Sequence, residues 1–197
     1  MMKRILLGCV AGGIAIFLVA TVWHMVLGLG EIGIQNLPGG EAVLSAMRGA
    51  IRQPGFYFFP GMERSPGMTK EQQKAEEQKW AEKYRVGPSG ILIYEPRGEE
   101  FRFGRLLLNQ FGIGLVAALV VACLLAMAAG GLPSYGSRVL FVALLGVFAS
   151  LIIDLPYWNW YGFPANYTLA HMASVVICWG VTGLVMAAIV KRPATAR

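Results

Sequence analysis

The sequence predicts an all-α membrane protein of four transmembrane helices, with a small α/β extramembrane insertion between helices 1 and 2. Apolar residues (AVILMFWYC) make up 56% of the 197-residue chain and charged residues only 14%, whereas soluble domains carry about 25% charged residues. The apolar residues form uncharged runs, and 10 of the 11 acids lie in one segment. The chain therefore divides into a first helix (1–30), the insertion (31–105) and three further helices with a cytoplasmic tail (106–197).

Four uncharged runs define the predicted spans. The first covers residues 5–30 and is longer than the apolar core of a signal peptide, so we expect a retained helix. The second covers residues 106–137, and the fourth helix is expected over residues 166–190. The third run, residues 139–153, is stopped by Asp154. Because a helix needs about 20 residues to cross the hydrocarbon core, this third span is expected to thin the bilayer locally.

Six basic residues outside the insertion predict the orientation of the chain. They flank apolar runs at the N-terminus, at the turn between the second and third spans, and in the C-terminal tail. The positive-inside rule therefore predicts that both termini are cytoplasmic and that the insertion is on the outer side. The net charge of +6 thus indicates orientation rather than nucleic-acid binding. The six residues are Lys3, Arg4, Arg138, Lys191, Arg192 and Arg197, of which Arg138 is expected to snorkel towards the interface.

The insertion is predicted to contain two helices and a two-stranded ribbon. Residues 41–52 have the apolar spacing of an amphipathic helix, and a second helix begins at a Thr69–Gln72 capping box. Residues 54–61 form an aromatic extended stretch between Pro and Gly residues. Residues 91–94 are predicted to form a strand that pairs with residues 100–103 across a turn. Because an isolated ribbon is marginally stable, it is expected to pack on the first of these helices or on the membrane.

Small residues at helical spacing predict helix-packing faces in the first two spans. Glycine and alanine at every fourth position allow another helix to approach closely, where van der Waals contact drives association in lipid. The sequence does not decide whether the partner helix belongs to this chain or to another one. The second span carries Gly114, Ala118, Ala122, Ala126 and Gly130, and the first carries Gly8 and Gly12.

Polar residues near the predicted outer boundary form the candidate site. Asp154 is the only acid outside the insertion, and the chain has 2 histidines. Ionisable groups in membrane segments are functional candidates. The structural alternative is that these groups only form hydrogen bonds between helices. An aromatic turn over residues 156–164 either anchors the chain among lipid headgroups or recognises a lipid, a quinone or a partner subunit. The cluster consists of His24, Glu31, Asp154, Trp158, Trp160 and His171.

Three specific chemistries are open to this cluster. Two histidines on facing helices are the type of pair that holds a b-type haem, His with carboxylate suits a metal, and intramembrane acids serve proton relays. No spacing motif supports any of the three, so the sequence predicts no catalytic residue, no metal and no cofactor, with haem b on His24 and His171 as the alternative. Cys9, Cys123 and Cys178 lie in apolar runs without a CxxC pair, and we interpret them as small buried hydrophobes.

Three stretches of the sequence resemble a family of bacterial membrane proteins known as conserved hypothetical proteins. They are His24–Pro38 (HMVLGLGEIGIQNLP), Pro54–Gly61 (PGFYFFPG) and Asp154–Pro164 (DLPYWNWYGFP). The resemblance implies a multi-pass protein of the bacterial inner membrane and carries no activity or site. The four-span layout with a long first outer loop is also similar to claudin-like proteins, but their paired loop cysteines are missing here.

These features predict a non-enzymatic accessory, scaffolding or assembly subunit of a larger membrane complex. Its expected partners are the lipid bilayer and other membrane subunits or further copies of itself, and no nucleic acid. The alternative is a membrane redox or ligand-binding protein that uses the His/Asp/Trp cluster to hold haem, a quinone or a lipid. A transporter or channel is disfavoured because Asp154 is the only charge within the last three predicted spans.

Overall fold

The computed structural model describes residues 1–98 and 100–191, so the predicted tail residues Arg192 and Arg197 lie outside the described part of the chain. The protein is 71% helical, with a small two-stranded sheet in the insertion. It divides into two compact units, which are described separately below. One unit combines Met1–Ile34 with Phe101–Arg197, and the other is Gln35–Glu100.

The first unit contains the four predicted spans, and the predicted fold class is confirmed. Each span has 25 to 27 residues and is apolar enough to cross a membrane, so the chain is an integral membrane protein in contact with lipid. The first helix continues beyond its α-helical part as a π-helical turn, Val22–Val26, which a 3-10 turn, Leu29–Glu31, follows. The four helices are α1 (Met2–Thr21), α4 (Phe103–Ala128), α5 (Tyr135–Tyr161) and α6 (Ala165–Ile189).

The helices pack in the spatial order α4–α1–α6–α5, and each neighbouring pair is antiparallel. At one end of this bundle lie the end of α1, the start of α4 and the Gly162–Pro164 link between α5 and α6. We call it the insertion end, because the insertion leaves and re-enters the bundle there. The opposite end holds both ends of the described chain, and we call it the terminal end.

The small-residue faces bring α1 against α4 and α6. A Cβ atom at Gly12 would lie 2.8 Å from Met186 Sδ of α6 and 3.4 Å from Ala118 Cβ of α4, and Gly8 approaches Val190 and Ala122 in the same way. The partner of the predicted α4 face is therefore α1 of the same chain. Gly114, Ala118 and Ala122 are buried, Ala126 is partly buried, and Gly130 is exposed beyond the end of the helix.

The third span is longer than predicted. Asp154 was expected to stop it after residues 139–153, but α5 runs on to Tyr161 and reaches 27 residues. Asp154 does not end the helix because its side chain is buried against a hydrogen-bonding partner on α6 rather than turned towards water. The span therefore needs no thinning of the bilayer.

The predicted aromatic turn over residues 156–164 is mostly helix. Pro156 lies inside α5, where it removes one backbone donor but does not terminate the helix. The helix ends at Gly162, whose φ of +71° reverses the chain, and Phe163 N donates to Tyr157 O at 3.4 Å. Only the Gly162–Pro164 link is non-helical.

Arg138 is buried rather than snorkelling, which corrects a second expectation. The side chain lies at the terminal end with 8% exposure, beneath the last turn of α6. Its guanidinium donates to the carbonyl oxygens of Ala187 at 3.1 Å and of Leu132 and Pro133 at 3.2 Å. Carbonyls left free near the end of α6 and in the turn before α5 accept hydrogen bonds from this cation, so the side chain stays inside the bundle.

The second unit contains α2 (Gly40–Ala50), β1 (Gly55–Phe59), α3 (Lys70–Val86) and β2 (Gly90–Tyr94). Thr69 and Gln72 form the predicted capping box at the start of α3. Residues 91–94 form a strand as expected, but β2 pairs with β1 in antiparallel register and not with residues 100–103, where α4 already begins. The pairing of β2 with β1 was missed because the whole of α3 separates the two strands in the sequence.

The second unit has little interior of its own. None of residues 35–98 is classed as buried. Its best-defined long-range side-chain bond joins Trp80 Nε1 of α3 to Pro60 O, at 2.8 Å. The remaining polar contacts of α3 are on the surface, where the Arg85 guanidinium donates to the Glu82 carboxylate and lowers the pKa of Glu82. Exposed pairs of this kind add little stability.

Candidate functional site

The site is built around a hydrogen bond between α5 and α6. His171 Nδ1 and Asp154 Oδ1 are 2.8 Å apart. The Asp154 side chain is only 7% exposed, whereas 41% of the His171 side chain remains accessible. The carboxylate is therefore buried, while the imidazole bonded to it remains partly accessible.

The packing of α5 and α6 places this pair at the insertion end. Every fourth residue of α5 faces α6 and is buried, a ridge that consists of Arg138, Val142, Gly146, Ser150 and Asp154. At the middle of the interface a Cβ atom at Gly146 would lie 2.6 Å from Trp179 Cβ, so the helices touch closely. Because α5 and α6 are antiparallel, the last residue of this ridge meets the second turn of α6, where His171 lies.

His171 lines a cavity of about 340 Å³ between the end of α1 and the start of α6. The second histidine, His24, lines the same cavity from the π-helical turn. The structure therefore brings the two predicted histidines together around one space, with Asp154 behind one of them. The other lining residues are Trp23, Leu29, Gly30, Ile32, Ile34, Tyr167, Ala170 and Ser174.

Two glycines shape the wall of the cavity. A Cβ atom at Gly30 would overlap the His24 imidazole, so only glycine lets the backbone pass beside this ring. Gly33 has φ +82° and packs against the backbone of Tyr167, which joins the segment after the 3-10 turn to α6. These close approaches hold His24 and α6 on two sides of the same space.

An aromatic chain leads from the helix link to the site. Tyr157, Phe163 and Tyr167 follow one another with ring centroids 5.4 and 5.5 Å apart. Tyr167 then stacks on the His171 ring at 6.1 Å, with an interplanar angle of 14°. The i, i+4 spacing of Tyr167 and His171 on α6 produces this stack, which fixes the orientation of the imidazole from a second direction.

Four members of the predicted cluster do not line the cavity: Asp154, which is bonded to His171 from behind, and three exposed residues. Glu31 ends the 3-10 turn and is exposed. Trp158 and Trp160 lie in the last turns of α5, with exposed fractions of 49% and 73%. Their place at the end of an apolar helix is the position that amphipathic rings occupy at a membrane interface.

The polar atoms of the pair are unevenly satisfied. An ionised carboxylate only accepts hydrogen bonds, so in that state the shared proton lies on His171 Nδ1 and leaves Nε2 for another partner. Asp154 Oδ2 is buried and has no hydrogen-bond partner among the described residues, and the hydroxyl of Thr182 is the only other such side-chain atom there. Native proteins satisfy most buried polar atoms, so an exception of this kind requires an explanation.

The residues at the site can be compared with those that a metal ion or a haem requires. Within residues 1–98 and 100–191 no three His, Cys, Asp or Glu side chains come together as a group that could hold a metal ion. The cavity lining contains no Lys or Arg, the usual partners of haem propionates and phosphates. His171 does have the carboxylate partner that is typical of a ligating histidine.

Sequence reasoning placed none of the other eight lining residues in the site, and three of these eight carry aromatic or polar side chains. Trp23 precedes His24, Tyr167 lies one helical turn before His171, and Ser174 lies about one turn after it. The spacing on α6 was a usable signal, because residues at i−4 and i+3 of a helix share a face with residue i. For Trp23 the π-helical turn gave no sequence signal.

No family model, curated protein or solved structure matches this chain. The resemblance to the bacterial membrane family therefore stays a prediction, and functional inference rests on the site itself.

Proposed function

We propose that the protein binds a small membrane-soluble molecule in the cavity between the end of α1 and the start of α6. The observation that supports this most strongly is the Asp154–His171 hydrogen bond beside a cavity that His24 also lines. A buried acid that orients an accessible imidazole is a common arrangement in binding and catalytic sites. The cavity volume lies within the range of small-molecule sites, about 300–1,000 Å³.

The lining indicates the general chemistry of the ligand. Leu29, Ile32 and Ile34 provide an apolar wall, and the two histidines provide the main hydrogen-bonding groups. Such a surface suits a molecule with a mostly apolar body and a few polar atoms.

The test fills the cavity without touching the histidines. Ala170→Phe places a ring in the cavity, and Leu169→Phe adds the same ring at the neighbouring position, which is 66% exposed. Native mass spectrometry of protein purified in mild detergent should show a bound membrane molecule in the wild type and in Leu169→Phe, and not in Ala170→Phe. Retention of the same molecule by Ala170→Phe, or its absence from all three proteins, would refute the proposal.

A second candidate function is that of an accessory subunit, favoured by the second unit. Residues 35–98 form a folded insertion in which no residue is classed as buried. Its ribbon exposes Phe58 and Ile93, with 39% and 79% of their surface accessible. A folded segment with so little core is stabilised when another protein covers its apolar surface.

Purification in mild detergent tests this second candidate. The protein should migrate with a partner subunit or as an oligomer, and Ile93→Glu should release the partner. Val86→Glu is the control, because Val86 is 72% exposed on α3 rather than on the ribbon. Migration of the wild type as a monomer without a partner would contradict the subunit function.

A further inference from the structure

The cavity offers hydrogen bonds from two sides. His24 lies on the turn that ends the first span, and His171 lies on α6, so the two imidazoles belong to different helices. A ligand that hydrogen-bonds to both needs two polar atoms, one for each imidazole. A six-membered ring with oxygens at opposite positions has this form.

An imidazole can form a hydrogen bond to a ring oxygen of such a molecule whether the molecule is oxidised or reduced. The neutral ring has one donor and one acceptor nitrogen, and the protonated ring has two donors. With Nδ1 held by Asp154, the Nε2 atom of His171 accepts from a hydroxyl in the neutral ring and donates to a carbonyl in the protonated ring. One side chain can therefore pair with the carbonyl of a quinone or with the hydroxyl of the corresponding quinol.

The charges around the cavity disfavour ligands with phosphate groups. No Lys or Arg lines the cavity, and the buried charge next to it belongs to Asp154, an acid. Arginine and lysine are the usual partners of phosphate and carboxylate groups. A neutral head is therefore favoured over a phospholipid head or a haem with two propionates.

The remaining wall carries two aromatic side chains. Trp23 and Tyr167 line the cavity, and Tyr167 is already stacked nearly parallel to His171. Offset stacking on such rings adds to the affinity for a planar ligand. The volume of about 340 Å³ is at the lower end of the range of small-molecule sites, which fits a single substituted ring with its tail in lipid.

We propose that the ligand is a membrane quinone or its quinol, held through its two ring oxygens by His24 and His171, with Asp154 orienting His171. This inference rests on the proposed function, because it names the ligand class of the same cavity. It concerns binding only. Asp154 acts in it as a positioning residue, and His24 and His171 contact the ligand.

The experiment measures quinone binding by the full-length protein in phosphatidylcholine nanodiscs. The probe is 2,3-dimethoxy-5-methyl-6-decyl-1,4-benzoquinone, and the comparison compound is its reduced ring with both oxygens methylated, which keeps the substituted ring but replaces the carbonyl oxygens with bulkier ether groups that accept hydrogen bonds more weakly and cannot donate. The wild type and Leu169→Phe should bind the quinone with equal affinity. The dissociation constant should be about tenfold higher for the ether, since each lost hydrogen bond costs affinity.

Two histidine variants identify the contacts. His171→Asn keeps an amide that can donate to Asp154 but lacks an atom at the position of Nε2, and it should raise the dissociation constant about tenfold. His24→Phe keeps the ring shape, and because His24 is exposed the fold should be unaffected. It should also weaken binding of the quinone while leaving binding of the ether unchanged.

The outcomes separate this inference from the function on which it rests. Equal affinity for quinone and ether, or wild-type affinity in both histidine variants, would overturn the quinone assignment. If Ala170→Phe still excluded the molecule seen by native mass spectrometry, binding at the cavity would stand with another ligand. Competition by phosphatidylglycerol would assign the cavity to phospholipid. Quinone binding to Ala170→Phe equal to that of the wild type would overturn the quinone assignment, and retention of the native molecule by the same variant would refute the proposed function as well.

Discussion

The interface between α5 and α6 holds a buried charge near each end, and the two charges are satisfied differently. At the terminal end the Arg138 guanidinium donates to three backbone carbonyls. At the insertion end Asp154 has one partner, His171, and its second oxygen has none among the described residues. Both residues lie on the same ridge of α5 and are equally buried.

This difference separates a structural charge from a candidate functional one. Arg138 satisfies carbonyls of α6 and of the α4–α5 turn, so its donors are used within the fold. Asp154 orients a histidine that lines a cavity, and its Oδ2 atom has no partner among the described residues. Buried polar groups that the fold itself does not fully satisfy are typical of sites where a ligand completes the arrangement.

A substitution at the close α5–α6 contact midway between these two charges should have the largest effect on the free energy of unfolding. Gly146→Ala places a Cβ atom 2.6 Å from Trp179 Cβ and must push α5 from α6. We expect a loss of about 2 kcal/mol in unfolding free energy, since overpacking costs about 1–3 kcal/mol. Unfolding in mixed detergent micelles measures it. Gly180→Ala is the control, because no atom lies within 4 Å of a Cβ there, and equal stability of the two variants would contradict the close packing.

Removing the charge at the terminal end should have the next largest effect. Arg138→Leu leaves three carbonyls without their donor, and buried groups left unsatisfied cost about 1–3 kcal/mol. We expect a loss of about 1.5 kcal/mol in the same unfolding assay, with quinone affinity unchanged. Stability equal to that of the wild type would show that Arg138 does not hold the α6 end.

Neutralising the charge at the insertion end should change stability less. Asp154→Asn can keep a hydrogen bond to His171 while it removes a buried charge that has only one partner, so the lower desolvation cost offsets the lost attraction. We expect unfolding free energy within about 1 kcal/mol of the wild type, together with weaker quinone binding, because the amide no longer fixes the Nδ1 proton of His171. A loss of unfolding free energy larger than that of Arg138→Leu would contradict the prediction that Asp154 contributes less to stability than Arg138.

The exposed tryptophans should give the smallest effect. Trp158→Phe and Trp160→Phe keep an aromatic ring at an exposed position outside the cavity. We expect changes within about 0.5 kcal/mol in unfolding free energy and no change in quinone affinity. A loss of affinity in either variant would extend the site beyond the cavity lining.

The sequence predicted the parts of the fold that local patterns control. The four spans follow from uncharged runs, and the start of α3 follows from the capping box at Thr69. The predicted length of α5 was wrong because Asp154 was taken as the end of the apolar run. The hydrogen-bonding partner of Asp154 is His171, which lies on the next helix. The pairing of β2 with β1 was missed for a similar reason, since a whole helix separates the two strands.

The site was predicted in its residue types but not in its geometry. His24, Asp154 and His171 stood out because ionisable groups are rare in apolar spans. Their assembly depends on the order in which α1, α6 and α5 pack, and on Gly30, which lets the backbone pass beside His24. Neither feature can be read from spacing along one helix. Grouping Glu31 and the tryptophans with the histidines followed from similar depth alone.

The central claim is that His24 and His171 contact a ligand in one cavity. Because the chain has 2 histidines, nitrogen NMR of protein labelled only at the histidine ring nitrogens observes both directly, and His24→Phe assigns the signals. Saturation with the benzoquinone should shift the Nε2 signal of His171 and the ring signals of His24, and the ether should shift both by less. Unchanged signals from both histidines in the presence of saturating quinone would contradict the claim.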